Sequence, residues 1–399
     1  MSKLEELIEQ YCPDGVEYKA LKTILRIKNG KDYKHLNEGD IPVYGSGGVM
    51  TYVDTPMYDK PSVLIPRKGS IDKLYYVDTP FWNVDTVFYT EIDAKQVIEK
   101  YVFYTLQKEH LEKLNTAGGV PSLTQGVVNE VLIPVPPIPV QEEIVRILDA
   151  FTELQAELQA ELQKRKQQYN YYLDNLLNFN DINGGGYQAE VRWMKMSEVF
   201  ETITDYTAAG SFKSIAENVK YLKSPDYAML IRTTDLKSRF RKGDFIYVSK
   251  SAFDYLWRVK MDKECIVMPN VGNCGEIYYV HPNSLPYDNC ALAPNAILVR
   301  SKLFNNKYLS YCLQVECFQK QLAKITSPVG QSKFNKTELK KLLVPIPSLA
   351  DQQKIVDILD RFDTITTDLT QGLPAEIEKR RQQYEYYRDK LLTFKRKAA

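Results

Sequence analysis

The chain contains the stretch PVPPIPVQEEIVRILDAF (residues 134–151) and repeats it as PIPSLADQQKIVDILDRF (residues 345–362). A second pair follows these copies, because RKQQYNYYLDNLLNF (residues 165–179) returns as RRQQYEYYRDKLLTF (residues 380–394). Fainter similarity joins the preceding stretches, where SVLIPRKGSIDKLYYV aligns with CIVMPNVGNCGEIYYV. These repeats predict a tandem duplication of one module, a globular part followed by a helix, with pseudo-twofold symmetry.

The repeated stretches have the apolar spacing of long amphipathic helices. Apolar residues recur at three- and four-residue steps, at Ile144, Ile147, Leu148, Phe151, Leu154, Leu158 and Leu162 in the first copy and at Ile355, Ile358, Leu359, Phe362, Ile365 and Leu369 in the second. A helix with one narrow apolar stripe is marginal alone, so we expect the two helices to bury each other as an antiparallel coiled coil. The four prolines between positions 134 and 139 predict a stiff, non-helical lead-in, and Pro374 predicts an interruption of the second helix.

The helical stretches divide the chain into four parts. We expect a first globular domain over residues 1–136, a helical region over 137–182, a second globular domain over 183–347 and a second helical region over 348–399. The run of Asn183 and three glycines marks the start of the second globular domain.

Each globular domain has the pattern of a mixed α/β fold. Short β-branched or aromatic runs predict strands, at SVLIP, KLYYV, DTVFYT, FIYVS, IYYV and AILV. We expect one amphipathic helix per domain, over VIEKYVFYTLQKEHLEKL and over KYLSYCLQVECFQKQLAKI. The expected fold class is therefore α+β, with two tandem mixed α/β domains separated by two long paired helices.

The sequence lacks the motifs of common enzymes. Neither a GxxxxGK[ST] phosphate loop nor a GxGxxG fingerprint occurs, and the glycine-rich stretch at residues 45–48 has neither spacing and predicts a tight turn. The Asn/Asp-Pro-Pro-aromatic motif of amino-group DNA methyltransferases is also missing. We predict no catalytic residue in this chain.

Cysteine and histidine usage argues against a metal site. The six cysteines form no CxxC pair and only three histidines occur, so we expect buried free thiols and no bound metal. Neither an 18-residue apolar run nor a signal-peptide pattern is present, which predicts a cytoplasmic protein without a membrane partner.

One loose pattern leaves a nuclease open as an alternative. Metal-dependent hydrolysis of DNA needs clustered carboxylates with a lysine nearby. Asp226, Asp235 and Lys237 have this composition, but the first half of the chain has no counterpart.

Basic clusters are the stronger indication of a nucleic-acid partner. The net charge of +1 does not exclude such a partner, because binding depends on local patches. Basic side chains beside glycines and hydroxyl groups suit phosphate contacts, whereas Arg and Asn side chains suit base edges. The candidate DNA-binding residues are Tyr44, Ser46, Arg67, Lys68, Ser70, Lys73, Arg232, Lys237, Arg239, Arg241, Lys242, Lys250, Asn270 and Asn273. The last two occupy the places of Arg67 and Ser70 in the repeat register, and ordinary solvated loops remain the alternative for the whole set.

The helical motifs QxxIVxILDxF and RxQQYxYYxDxLLxF closely resemble those of the specificity subunits of type I restriction–modification enzymes. The stretches IPVYGSGG, VLIPRKGSI and PFWNVDTVFY resemble the first target-recognition domain of that family, and LIRTTDLK resembles a segment of its recognition domains. The resemblance covers nearly the whole chain.

The resemblance implies a noncatalytic subunit that reads double-stranded DNA. Each recognition domain would read one half of a bipartite target, and the paired helices would separate the two. Two methyltransferase subunits that use S-adenosylmethionine would dock on the helices, and restriction subunits would use ATP and Mg²⁺, so that no cofactor is expected in this chain. The helical spacer and partner-interface candidates are Phe151, Leu154, Leu158, Leu162, Tyr169, Tyr172, Phe362, Ile365, Leu369, Tyr384 and Tyr387. A protein-binding coiled-coil scaffold without DNA specificity is the alternative from another class.

The first helix also contains TELQAELQAELQ, in which Glu-Leu-Gln recurs every four residues. Four residues advance a helix by about 6 Å and turn it by about 400°, so each unit nearly preserves the facing side. Leu154, Leu158 and Leu162 would therefore form a seam. We expect the length of this repeat to set the gap between the two halves of a DNA target.

Overall fold

The computed structural model describes residues 2–115, 117–177, 179, 190–241, 243–327, 332–367 and 372–397. The chain divides into two compact units, a first unit of residues 1–161 with 373–399 and a second unit of residues 162–372. These units do not follow the four expected segments, because each one joins a globular part to stretches of both helical regions. The expected boundary at residues 183–186 lies outside the described residues.

The first unit contains the following helices and strands: α1 (Lys3–Tyr11), β1 (Tyr18–Ala20), β2 (Leu25–Asn29), β3 (Ile41–Gly45), β4 (Gly48–Val53), β5 (Ser62–Pro66), β6 (Tyr75–Val77), β7 (Trp82–Asn83), β8 (Val87–Ile92), α2 (Glu99–Glu109), α3 (Gln125–Asn129), β9 (Leu132–Pro134) and the first part of α4 (Ile138–Leu177). The second unit contains the rest of α4 and then β10 (Arg192–Lys195), α5 (Met196–Val199), β11 (Thr202–Asp205), α6 (Phe212–Asn218), β12 (Ala228–Ile231), α7 (Thr233–Lys237), β13 (Ile246–Val248), α8 (Lys250–Tyr255), β14 (Cys265–Pro269), β15 (Tyr278–Val280), β16 (Cys290–Leu292), β17 (Ala296–Arg300), α9 (Asn306–Cys312), α10 (Glu316–Ile325), α11 (Lys336–Leu339), β18 (Leu343–Ile346) and α12 (Leu349–Thr367). Helix α13 (Leu373–Leu391) belongs to the first unit.

The two units share one sheet topology. The first has a four-stranded sheet in the order β2-β8-β5-β6, a three-stranded sheet β4-β3-β7 and the pair β1-β9. The second has β11-β17-β14-β15, β13-β12-β16 and the pair β10-β18. All six predicted strand runs are confirmed, and the mixed α/β class and internal repeat hold. The central strands β5 and β14 are buried at every position, as expected of short runs rich in β-branched and aliphatic residues.

The expectation of one amphipathic helix per globular domain is wrong. Helix α2 stops at Glu109 because His110 takes a left-handed conformation (φ 51°), and a short 3₁₀ turn follows. The second unit likewise has two helices, α9 and α10, where one was expected. Continuous apolar spacing does not show such a break, since both pieces pack on the same core.

Within each unit, two helical stretches run antiparallel. In the first unit, Ile144 and Leu148 of α4 share a buried cluster with Tyr384 of α13, and the rings of Phe151 and Tyr387 stack at 5.5 Å. This pairing confirms the antiparallel coiled coil for the first unit.

The second unit repeats the arrangement with the end of α4 and helix α12. Leu173 and Leu177 share a cluster with Ile355 and Leu359. The rings of Tyr172 and Phe362 stack at 5.0 Å. Among the described helices, none is long and apolar enough to cross a membrane.

The prolines have different places from those expected. Pro139 lies inside the first turn of α4, so the expectation that all four prolines precede the helix is wrong for this residue. The first turn accepts proline because its N–H groups have no helical partner there. Helix α12 ends at Thr367 and α13 begins at Leu373, with Pro374 in its first turn, as predicted.

A repeated glutamine attaches each globular part to its helix. Gln141 is fully buried, its Oε1 accepts from Ile98 N (2.9 Å), and its Nε2 donates to the carbonyl oxygens of Pro136 (2.7 Å) and Gln96 (3.0 Å). Gln352 makes the equivalent contacts, accepting from Asn305 N (3.0 Å) and donating to Pro347 O (3.0 Å).

A repeated aspartate adds a second tie. Tyr104 Oη donates to Asp149 Oδ1 (2.6 Å) in the first unit, and Tyr311 donates to Asp360 in the second. The glutamine and aspartate of QxxIVxILDxF therefore fix the helix to its own globular part.

Candidate nucleic-acid interface

The loop of residues 67–73 follows the buried strand β5 and is held by backbone hydrogen bonds. Arg67 N donates to Thr86 O (2.8 Å), and Arg67 O accepts from Leu123 N (2.9 Å). Gly69 N donates to Pro121 O (3.0 Å), and its φ of 79° is a conformation that glycine adopts without strain. We name residues 67–73 the first loop.

The loop of residues 270–276, the second loop, repeats this frame in the second unit. Asn270 N donates to Asn295 O (3.2 Å), and Asn270 O accepts from Phe334 N (3.2 Å). Gly272 N donates to Ser332 O (2.7 Å), with φ of 85°. The structure thus confirms the repeat register that selected Asn270 and Asn273. The two loops keep one backbone frame while their side chains differ.

The side chains of the first loop fall into two groups. Arg67 Nη1 donates to Asn29 Oδ1 (3.1 Å), and its guanidinium lies 5.2 Å from the ring centre of Phe88, so this side chain is held against the sheet. Lys68 and Lys73 are exposed, and Ser70 is half-buried. The lysines are therefore the accessible positive charges of this loop, beside the exposed carboxylate of Asp72.

The β3–β4 turn lies against the first loop. A β-carbon on Gly69 would lie 3.4 Å from Ser46 Oγ, and Tyr75 Oη donates to Ser46 O (3.1 Å). Gly45 pairs with Gly48 across the turn, which confirms the predicted tight turn.

Tyr44 supports this turn rather than extending from it. Its ring lies 5.8 Å from Tyr75 and 6.3 Å from Phe81, and burial raises the pKa of its hydroxyl. Ser46 and the first loop therefore come together on one surface, with Tyr44 packed beneath them.

Two residues of the basic run in the second unit, Arg232 and Lys237, pair with carboxylates of the same unit. Arg232 donates to both carboxylate oxygens of Asp235 (2.7 and 3.0 Å), a bidentate geometry that raises the arginine pKa, and it also pairs with Asp244. Lys237 pairs with Glu276 of the second loop. The charges of Arg232 and Lys237 are thus compensated within the unit.

The remaining basic candidates do not form one cluster with these. Arg239 has a left-handed backbone (φ 49°) and lines a cavity together with Tyr169 of α4. Arg241 is exposed, and Lys250 lies 5.8 Å from the ring centre of Tyr227. Lys242 lies outside the described residues.

One carboxylate of the nuclease hypothesis, Asp235, is buried in an ion pair. Asp235 is 1% exposed, and both of its oxygens accept hydrogen bonds from Arg232. Over the part of the chain that the structure describes, no three His, Cys, Asp or Glu side chains are grouped as metal ligands.

The helical motif exposes a pair of tyrosines in each unit. Tyr171 is 65% and Tyr172 36% exposed in the first copy of the motif, and Tyr386 is 62% and Tyr387 37% exposed in the second. The rings of each pair meet edge to face, at 5.6 and 5.3 Å. Tyr172 and Tyr387 were predicted as interface residues from the sequence, whereas the more exposed Tyr171 and Tyr386 were not, although YNYY and YEYY contain both residues of each pair.

The other helical candidates are less accessible. Tyr384 is buried and Ile365 is exposed, whereas the half-buried set comprises Phe151, Leu154, Leu158, Leu162, Tyr169 and Phe362. Leu369 lies outside the described residues. Phe151 and Phe362 stack on rings of the facing helix, and the tyrosine pairs are exposed aromatic groups of the helical motif.

Comparison with known proteins gives one consistent result. The chain matches the family described as the type I restriction modification DNA specificity domain over residues 13–165 and again over residues 188–379. A putative type I restriction enzyme specificity subunit of Haemophilus influenzae is 28% identical, with 98% of each chain covered. The EcoR124I/EcoR124II specificity subunit of Escherichia coli is 30% identical, over 76% of this chain and 73% of that protein.

Solved structures share the fold. The crystal structure of the S subunit of a type I restriction–modification system from M. genitalium has a TM-score of 0.56 and 17% identity, covering 95% of this chain and 96% of that chain. A chain from a structure that describes complex assembly and conformational transition of the type I system has a TM-score of 0.57 and 13% identity, covering 95% and 98%. These matches favour neither the scaffold nor the nuclease alternative.

The family match covers both repeats, and the two loops repeat one frame with different side chains, which suits two readers of different sequence. The chain therefore belongs to the type I restriction–modification DNA specificity family and is a DNA specificity subunit.

Proposed function

We propose that each unit reads one half of a bipartite DNA target and that the first and second loops take part in this reading. The observation that carries the proposal is their shared backbone frame. Two copies of one fixed loop, with Arg-Lys-Gly-Ser in one and Asn-Val-Gly-Asn in the other, present different side chains from the same position. An asymmetric target needs this combination, since the two halves differ in sequence.

The two loops would have different roles, because their side chains differ. Lys68 and Lys73 are exposed ammonium groups, which suit phosphate contacts that position the protein without reading sequence. Asn273 is exposed and carries an amide, which can donate and accept together at an adenine edge. The first loop would thus contribute mainly affinity, and the second mainly base discrimination.

The chain would act within a larger complex. It supplies specificity, whereas methyltransferase subunits with S-adenosylmethionine would methylate adenine and restriction subunits with ATP and Mg²⁺ would cleave. Two methyltransferase copies would bind, because the tyrosine pairs at 171–172 and 386–387 repeat one exposed aromatic surface in the two units. Genomic DNA as the target would place the chain in the cytoplasm.

The paired substitution Arg67→Ala and Lys68→Ala tests the proposal. We expect weaker binding of the methyltransferase complex to its target without loss of folding, measured by gel shift over a range of salt concentrations. Lys95→Ala is the matched control, because this exposed lysine follows the opposite end of strand β8 from the first loop. Unchanged affinity at low salt would remove the first loop from the interface.

A further inference from the structure

The two units differ in what fills the space beside the loop. In the first unit the guanidinium of Arg67 bonds to Asn29 and lies over the ring of Phe88. Asn29 and Phe88 are cross-strand partners on β2 and β8. One long side chain therefore covers this end of the sheet.

The corresponding positions of the second unit hold smaller groups. Asp205 and Ile297 are the cross-strand partners on β11 and β17, and the arginine is replaced by Asn270. The amide is shorter than the guanidinium, and the aliphatic side chain has no ring for it to cover. A cavity of about 450 Å³ lies there instead.

The walls of this cavity are apolar and aromatic. Strand residue Ala296 lies on one side, and Ile215 of α6 lies on another. Tyr206 and Tyr221 line it with their hydroxyl groups hydrogen-bonded to each other (3.2 Å), and Phe212 lies at its edge with 83% of the side chain exposed. A flat ring can stack against such surfaces.

Among the described residues that line the cavity, one buried side-chain acceptor lacks a hydrogen-bond partner. Asp205 Oδ1 accepts from Thr207 Oγ1 (2.7 Å) and from Lys336 Nζ (2.8 Å), so its charge is neutralised within the unit. Asn270 Oδ1 is buried and has no hydrogen-bond partner among the residues that the structure describes. A buried acceptor without a donor is unfavourable, and a bound group with an N–H at this position would satisfy it.

We infer that this cavity is a binding site for a nucleobase with an exocyclic amino group, such as adenine. The amino group donates to Asn270 Oδ1, while the ring lies against Tyr206, Tyr221 and Ile215. The volume is within the range of small-molecule sites. This inference goes beyond the proposed reading of DNA, because the cavity would accept two kinds of ligand. One is a base that has left the helical stack of DNA, and the other is a free nucleoside.

Nucleoside binding to the full chain, measured by calorimetry without DNA, tests the inference. We expect adenosine to bind and inosine, in which an oxo group replaces the amino group, to bind at least about tenfold more weakly. Asn270→Leu should remove this difference, whereas Asn273→Leu, in the same loop but outside the cavity, should retain it. Equal affinity for adenosine and inosine, an unchanged preference in Asn270→Leu, or no adenosine binding at about 5 mM would overturn the inference.

A second variant tests the cavity itself. Asn270→Arg restores the residue of the first unit, and its guanidinium would fill the space beside Asp205. We expect this variant to keep its melting temperature and to lose adenosine binding. Ala216→Trp, on an exposed position that lines the cavity, gives the same exclusion through a different side chain. Retained binding in both variants would contradict the assignment.

Competition separates the two sources of the base. If target duplex releases bound adenosine from the wild-type complex, the occupant in the complex is a base of the DNA. If adenosine stays bound while duplex binds, the site serves a free nucleotide. The DNA-reading proposal is tested by gel shift and does not depend on either result.

Discussion

Removing residues 156–159 from α4 should move the two halves of the DNA target closer together. Helix α4 is continuous from Ile138 to Leu177, and these four residues lie between Phe151, which stacks on Tyr387, and Tyr172, which stacks on Phe362. Four residues correspond to about 6 Å of helix length. At about 3.4 Å per base pair, the gap should shorten by about one to two base pairs.

The deletion should do little else to the protein. Three of the four removed residues are exposed, and the fourth, Leu158, is half-buried. Four residues turn a helix by about 400°, so Leu162 takes the place of Leu158 with an offset of about 40°. The buried residues that join α4 to the globular parts are unchanged.

Mapping of methylated adenines in host DNA provides the assay. We expect the two half-sites to stay the same and only the gap between them to change. Insertion of one additional Ala-Glu-Leu-Gln unit after residue 159 should lengthen the gap by the same amount, and Leu158→Ala, which alters packing without changing length, should leave it unaltered. If the deletion and insertion variants are active and the gap stays constant, the length of the repeat does not set the gap, and the repeat contributes only to helix packing.

Three further changes have defined outcomes. Gln141→Leu leaves the part-buried N–H of Ile98 and the carbonyls of Pro136 and Gln96 without this partner, so the first unit should lose about 2–4 kcal/mol in a denaturation experiment. Gln352→Leu should destabilise the second unit instead. Lys68→Ala and Lys73→Ala should each lower the salt dependence of DNA binding by about one unit of slope, with half-site preference kept. Hydrogen bonds from Arg146 and Lys3 lower the pKa of Glu143 to about 2. The ionised carboxylate therefore stabilises the fold above about pH 4.5, and this stabilisation is lost as the pH falls toward 2. Glu143→Gln should make the melting temperature depend less on pH in this acid range.

The repeat made most of the architecture predictable. Two copies of a pattern with helical spacing require a partner for each apolar stripe, and the antiparallel pairing follows from that requirement. Strands such as β5 and β14 were recognisable because short β-branched runs have few other stable states. The end of helix α2 before His110 could not be predicted from the sequence, because tertiary packing sets the left-handed conformation of this residue.

The site was predictable in part. The repeat register that aligns Asn270 with Arg67 could be predicted from the sequence. Which basic side chains form ion pairs with carboxylates could not. Arg232 and Lys237 are neutralised by carboxylates that lie three and 39 residues away along the chain, and only the fold brings the second pair together. The cavity beside Asn270 exists because this side chain is shorter than that of Arg67 in the first unit, and no sequence motif predicts such a cavity.

The first unit is completed by chain that is synthesised after the second unit. Val16 N donates to Lys395 O (2.9 Å), and Lys397 N donates to Val16 O (2.9 Å), while Leu392 packs among the buried residues of α4 and α1. Domains usually fold in the order of their synthesis. Here the globular part that leaves the ribosome first must wait for residues 373–397, whereas residues 162–372 already contain all of the second unit. A nonsense mutation shortly after residue 372 should therefore damage the recognition domain encoded at the opposite end of the reading frame.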